Sequence, residues 1–295
     1  MTVLDGAAMA RAPRSRGRST LLRSRVAVAL KYLSLVLAGA VVLVPLAAVL
    51  LTSLRTSSEM ADGPSLAAPH NWFNLHNYVV AFNDGRMLRA LWNTSFIFFF
   101  SVLGTVLIGS MTAYAIDRFH FPFKKLVMAL FLIASLVPSV TTQVATYQIV
   151  NNLGVMDTRW APVLLYMGTD IVSIYIFLQF IRSIPVSLDE AARLDGANSF
   201  TIYWRIIVPL LKPAIATVVI IKGVAIYNDF YIPFLYMPDD NLGTISTSLF
   251  RFKGPFGAHW EVISAGAALV IIPSLVVFLA LQRFIYNGFA SGATK

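Results

Sequence analysis

The 295-residue sequence contains no cysteine, so a disulfide framework and a cysteine-bound metal centre are both excluded. Charge is scarce as well. Asp, Glu, Lys and Arg together make up 13% of the chain, against about 25% in soluble domains. A soluble surface is hard to build from so few charges. The four histidines, His70, His76, His120 and His259, are scattered and offer no metal-ligand spacing. No H-E-x-x-H, no G-x-S-x-G and no G-x-x-x-x-G-K-[ST] occurs, which argues against a metalloprotease, a serine hydrolase and a P-loop ATPase. What is abundant is apolar: 57% of the residues are hydrophobic and the mean hydropathy is +0.72. These values predict a polytopic membrane protein.

A helix that crosses the hydrocarbon needs about 20 mainly apolar residues. Six stretches meet that length, at about Val26–Leu54, Leu91–Ile116, Leu126–Val150, Trp160–Ile181, Pro213–Tyr236 and Val262–Ile285. The predicted fold is therefore all-α with six transmembrane helices. It divides into a basic arm over 1–25, expected to be disordered near anionic lipid, a transmembrane domain over 26–287, and a tail over 288–295. Six spans put both termini on one side, and the positive-inside rule selects it. Of 23 basic residues, 16 lie in the arm, the loops after the second and fourth spans, and the tail. Six lie opposite, and Lys222 falls within the fifth span. Both termini are thus expected in the cytoplasm. The net charge of +9 reports topology and lipid contact, and nucleic acid is not an expected partner. Tyr32, Trp72, Trp92, Trp160, Tyr166, Tyr236, Trp260 and Tyr286 fall near predicted span ends, as an interfacial belt would. Pro45, Pro138, Pro233 and Pro273 fall inside spans.

The loop at 182–212 carries the most information. Pro185 opens a turn, and Ser187 followed by Glu190 three residues later predicts a capping box. Asp189 and Glu190 suit the first turn of a helix. Gly196 is placed to end that helix in the left-handed conformation. Leu188, Ala191, Ala192 and Leu194 form a small apolar face. A second short helix is expected from Ser199, and Pro209 and Pro213 then break the chain before the fifth span. Such a rigid helix–turn–helix suits transmission of force from a cytoplasmic partner, although it suits packing on its own bundle equally.

Glu190-Ala191-Ala192, three residues, Gly196, nine residues, Ile206, one residue and Val208-Pro209 resemble the EAA motif of binding-protein-dependent ABC importer permeases. The family more often has Leu where Val208 stands. Similarity extends over nearly the whole chain and is greatest to the maltose-type carbohydrate permeases. It includes Asn74–Tyr78, Trp92–Thr94, Leu153-Gly154 with Asp157-Thr158, Phe180-Ile181 with Ile184-Pro185, Tyr227–Phe230, and the tail from Gln282.

The resemblance implies a type I importer fold and a sugar or oligosaccharide as cargo. It also implies a second homologous permease forming a heterodimer, two ATPase subunits and an extracellular solute-binding protein. The chain itself would bind no cofactor and no metal and would not be an enzyme; ATP and Mg would sit on the partner ATPase. Ser187, Leu188, Asp189, Glu190, Ala191, Ala192, Leu194, Asp195 and Gly196 would form the ATPase-coupling segment. The tail from Gly288 would approach the ATPases, and the loop at 238–259 the binding protein. Translocation-path candidates are Gln143, Thr146, Tyr227, Asn228 and Asp229, with helix packing the competing role for each. The alternatives are an ion-coupled secondary transporter, or an ABC permease for a non-sugar solute.

Overall fold

A computed structural model describes the backbone of residues 17–293 apart from 65, 139, 169 and 255–256. Side chains are described from residue 27 to 279, except at those positions and at 62, 277 and 278. Most of the predicted arm (residues 1–16) and the last two tail residues, Thr294 and Lys295, lie outside the described residues.

The first predicted span forms α1 (Gly17–Ser53), which starts within the expected arm and contains Pro45. Two short helices follow, α2 (Ser57–Asp62) and α3 (His76–Asp84). The entry to α2 is a capping box: Thr56 accepts from the Glu59 N–H, and the Glu59 carboxylate accepts from the Thr56 N–H at 2.6 Å. The Thr56 N–H, with the His70 N–H, holds the Glu59 carboxyl down to about 2. The second span is α4 (Met87–Arg118), 32 residues without a proline or a break.

The third predicted span is not one helix. It divides into α5 (Lys124–Leu136) and α6 (Gln143–Asn152). Pro138 lacks an N–H and pushes the preceding residue away from the helical region. Val137 accordingly sits at φ −78°, ψ 119°, in the extended region. The fourth span likewise becomes α7 (Trp160–Gly168) and α8 (Ile171–Arg182).

Next come α9 (Ser187–Leu194) and α10 (Ser199–Ile202). A π-helical turn over Tyr203–Ile207 leads into the single turn α11 (Val208–Leu210). The fifth span supplies α12 (Lys212–Asn228) and α13 (Tyr231–Tyr236). The stretch Ser199–Leu210 meets α12 at a 72° bend, with Pro213 in the first turn of α12, where its missing N–H costs nothing. The loop at 238–259 is irregular, as its glycines predict. It holds a 3-10 turn at Asp240–Leu242, α14 (Ile245–Ser248), a 3-10 turn at Leu249–Phe252, and the strands β1 (Lys253–Gly254) and β2 (Gly257–Ala258). The strands pair antiparallel, Lys253 opposite Ala258. The last helix, α15 (Trp260–Ala293), runs on through most of the predicted tail.

Among the described residues, Ala27–Ser53 and Met87–Arg118 are long and apolar enough to cross a membrane unbroken. Two bent pairs, α7 with α8 and Ser199–Leu210 with α12, qualify if each counts as one span. Large apolar side chains cover the outer surface: Val41 of α1 is 73% exposed and Leu136 of α5 is 75% exposed. No side chain of α5 is buried. Contiguous apolar surface on this scale is rare on soluble monomers and marks a protein or membrane contact.

The interior is organised around α4. One core joins Ala113, Tyr114 and Ile116 of α4 to Phe177 and Ile181 of α8, and to Ile202, Ile207, Leu211 and Val218 of the bend and α12. A second joins Ile97 and Val102 of α4 to Val163 and Tyr166 of α7 and Ile226 of α12. In lipid, close packing replaces the hydrophobic drive. Gly109 provides it here: a Cβ at that position would stand 3.3 Å from the Phe177 ring.

Candidate functional site

The segment with the EAA-like sequence folds as a separate short helix, α9. Its entry differs from the predicted capping box. Pro185 starts a turn that is already helical at Val186, φ −65° and ψ −25°, so Val186 occupies the cap position and Ser187 lies inside the helix. A side-chain cap needs an extended residue there, and none is made. Glu190, freed from that role, is exposed.

The exit matches expectation. Gly196 takes φ +83°. Its N–H donates to the Arg193 carbonyl at 3.0 Å, and the Ala197 N–H donates to the Ala192 carbonyl at 2.9 Å. That pair of bonds is a Schellman closure, which needs a left-handed residue at the glycine position.

Of the predicted coupling residues, Ser187, Leu188, Glu190, Ala191, Leu194, Asp195 and Gly196 are exposed. Leu194 is 90% exposed. Ala192 packs against the core between α4 and α8. Asp189 is the one buried residue of α9. Its Oδ2 lies 2.7 Å from Arg118 Nε, and both side chains are nearly inaccessible. Arg118 also reaches Asp117 Oδ2 at 2.7 Å and donates to the Ile184 carbonyl at 2.8 Å. The helix is therefore held from beneath by a buried charge, while its apolar and acidic outer face is bare.

A second constellation lies at the helix breaks. Lys222 of α12 pairs with Asp170 at the α7–α8 break at 3.2 Å, and not with Asp229 seven residues further along the chain. Lys222 Nζ also donates to the Tyr166 carbonyl at 3.3 Å. Tyr166 OH donates to Asp229 Oδ2 at 2.8 Å. Asp229 Oδ1 accepts from the N–H groups of Tyr231 at 2.8 Å and Ile232 at 3.3 Å. The carboxylate thus supplies the first amides of α13 with the acceptors that a helix start lacks. Asp229→Ala is expected to lower stability by about 1–3 kcal/mol, since it strands a hydroxyl and two amides. Asp229→Asn keeps an acceptor and is expected to cost much less. Equal melting temperatures for the two purified variants would contradict this assignment.

The other path candidates separate. Gln143 Oε1 accepts from Tyr231 OH at 2.7 Å, which brings α6 beside the Asp229 break. Thr146 bonds within its own helix, to the Thr142 carbonyl. Tyr227 OH donates to the Val270 carbonyl of α15 at 2.7 Å. Asn228 is exposed and bonds to the Val224 carbonyl. A groove of about 580 Å³ between α5 and α8, lined by Leu132, Tyr175, Gln179 and Arg182 among others, includes none of them. Among the described residues no group of three or more His, Asp or Glu is placed to hold a metal.

Sequence reasoning passed over Arg118, Asp170 and Asn93 as site residues. The fully buried Asn93 amide donates to the Asn241 and Gly243 carbonyls at 3.0 and 2.9 Å, and its Oδ1 accepts from Arg159 Nε at 2.7 Å. In the sequence these residues are a topology charge, a span acid and part of a short resemblance; their burial is set by distant partners.

Apolar helices, several of them broken, packed around α4 and covered outside by bare apolar side chains define a helical membrane protein. The family model "Binding-protein-dependent transport system inner membrane component" matches residues 87–290, and the chain belongs to that family. It is 31% identical over 254 residues to the melibiose/raffinose/stachyose import permease protein MelC of Bacillus subtilis (strain 168), covering 85% of this chain and 91% of that one. It is 33% identical over 205 residues to the galactooligosaccharides transport system permease protein GanQ of the same organism, covering 69% and 72%. In fold it is similar to a chain of a bacterial ABC transporter involved in the import of the acidic polysaccharide alginate. That likeness has a TM-score of 0.76 at 19% identity, over 88% of this chain and 97% of the other.

Proposed function

We infer that this chain is the membrane permease subunit of a bacterial ABC importer for a sugar or oligosaccharide. The observation that carries the inference is the architecture of α9: an exposed outer face, a glycine-closed end and one buried acid. An eight-residue helix has little stability of its own, and the exposed residues of α9, Leu194 and Glu190 among them, leave its outer face free for a partner surface. In this account α9 docks in a cleft of a separate ATPase, which holds the ATP and Mg. Leu188 and Leu194 supply apolar contact, Glu190 a polar one, and Ala191 close approach.

The six spans are α1, α4, α5 with α6, α7 with α8, α12 with α13, and α15. Both termini face the cytoplasm, on the side with the greater number of Lys and Arg. A second, homologous permease completes a heterodimer over two ATPase subunits. The loop at 238–259 faces an extracellular solute-binding protein, and the tail from Gly288 reaches toward the ATPases. The path for sugar passes the polar break formed by Gln143, Tyr166, Asp229 and Tyr231, where aromatic rings and hydroxyl-binding groups meet. The names of the relatives support a sugar as cargo.

The test is a ligand panel on the binding protein that stimulates this importer. Titration with oligosaccharides, amino acids and inorganic phosphate should give tight binding to a saccharide alone. A preference for amino acids or phosphate would refute the sugar assignment.

A further inference from the structure

We propose that α4 is the rod that links the binding-protein side of this permease to its ATPase side, and that the buried Arg118–Asp189 pair is the joint at the ATPase end. The proposal rests on the docking of α9 inferred above and adds the route by which its movement is carried.

The first observation is a stripe. Ser110, Tyr114 and Arg118 follow one another at intervals of four on α4 and so share one face. Each holds a different part of the loop at 182–212. Ser110 Oγ shares a hydrogen bond with Tyr203 OH at 2.7 Å. Tyr114 OH donates to the Ser199 carbonyl at 3.4 Å. Arg118 pairs with Asp189 and binds the Ile184 carbonyl. The entry to α9, its buried acid, the start of α10 and the π turn are thus all fastened to one helix.

The second observation is the nature of the joint. Neither carboxylate oxygen of Asp189 has an aligned hydrogen-bond partner among the described residues, and neither has Arg118 Nε. The buried carboxylate is held by ionic contact with Arg118. Drawing α9 away from α4 would have to break this contact and the Arg118–Ile184 bond, so the pair ties the two elements to each other. The two move together.

The third observation lies at the opposite end of α4. Asn93 binds the Asn241 and Gly243 carbonyls, and Thr94 Oγ1 accepts the Ile245 N–H at 3.0 Å. Arg86 donates to Asn241 Oδ1 at 2.6 Å, and Arg89 donates to the same oxygen. All of these acceptors and donors belong to the loop at 238–259. Between the two attachments α4 is continuous, with no proline. The predicted third, fourth and fifth spans are each interrupted, and α1 and α15 contain Pro45 and Pro273. A displacement of the loop is therefore delivered along α4 to α9 with the least loss.

The experiment uses the whole importer: both permeases, the ATPases and the binding protein, in lipid vesicles. Asp189→Asn keeps the shape of the joint and removes its charge. The readout is the ratio of stimulated to unstimulated hydrolysis, taken only in complexes that have assembled. Stimulation of hydrolysis by sugar-loaded binding protein should fall about tenfold, within the ordinary range of coupling between sites. Asn93→Ala, at the other end of α4, should produce the same loss. Should Asp189→Asn fail to insert, Arg118→Gln, which removes the cation of the pair, is measured in its place and read the same way. Normal stimulation in assembled joint-variant complexes would overturn the rod alone. Leu194→Arg, on the bare face of α9, separates the two ideas. It should detach the ATPase, and unchanged assembly would overturn the docking and the rod with it.

Discussion

Gly196→Arg is expected to abolish sugar import while leaving the amount of protein in the membrane unchanged. Two effects combine at this position. The backbone is left-handed, φ +83°, and closes α9 through the bonds to Arg193 and Ala192. A residue with a Cβ costs about 1 kcal/mol there relative to glycine. That strain is local and too small to prevent insertion. No heavy atom lies within 4 Å of an added Cβ, so the protein itself does not resist a side chain. A bulky cation would instead project from the end of the exposed helix, where the ATPase is proposed to dock. Gly196→Ala is the control, with the same backbone strain and no bulk. It should retain much of the import that Gly196→Arg loses. The measurement is labelled-sugar uptake normalised to membrane abundance by immunoblot. Normal uptake by Gly196→Arg at normal abundance would sink the coupling role of this segment.

The second large effect is expected at the interior ion pair. Lys222→Met leaves Asp170 without its cation, and Asp170→Leu does the reverse. Both side chains are partly covered, 17% and 13% exposed, and stranding one charge there is expected to cost about 1–3 kcal/mol. The Lys222 change also deprives the Tyr166 carbonyl, beside the break in the fourth span, of a donor. Replacing both partners, Lys222→Met with Asp170→Leu, should recover most of that loss, since no charge is then stranded. Thermal unfolding of the detergent-purified variants checks this. Two single variants that melt like the parent would show that the pair contributes no stability.

The parts legible in the sequence are those that one residue type or one short pattern determines. Gly196 is readable because a helix end of this kind admits few other residues. The exposure of Leu188 and Leu194 is readable because they stand in a segment otherwise too polar to be core, whereas Ala192 of the same predicted face turns inward onto the core. Hydropathy locates the apolar stretches but not their continuity. Pro138 is visible inside the third span, yet only the structure shows that it divides the span into α5 and α6.

What stays hidden depends on partners far away in the chain. The spacing of Lys222 and Asp229 suggests one helix face, but α12 ends at Asn228 and the chain turns there, so Lys222 pairs with Asp170 instead. Arg118 has the look of one more positive charge at a span end. Its burial against Asp189, 71 positions later, follows from the way α9 folds back on α4. Ser187 fails as a cap for a local reason that the four-residue pattern does not carry: the turn begun at Pro185 is already helical when it reaches Val186.

The central claim, that this chain moves sugar with energy supplied by a separate ATPase, has one direct test. Vesicles containing this permease, its homologous partner and the ATPase are supplied with sugar-loaded binding protein, with and without ATP. The account predicts that sugar enters only with ATP and that an ionophore leaves the rate unchanged. Uptake that proceeds without ATP and collapses with the ionophore would identify an ion-coupled transporter and contradict it.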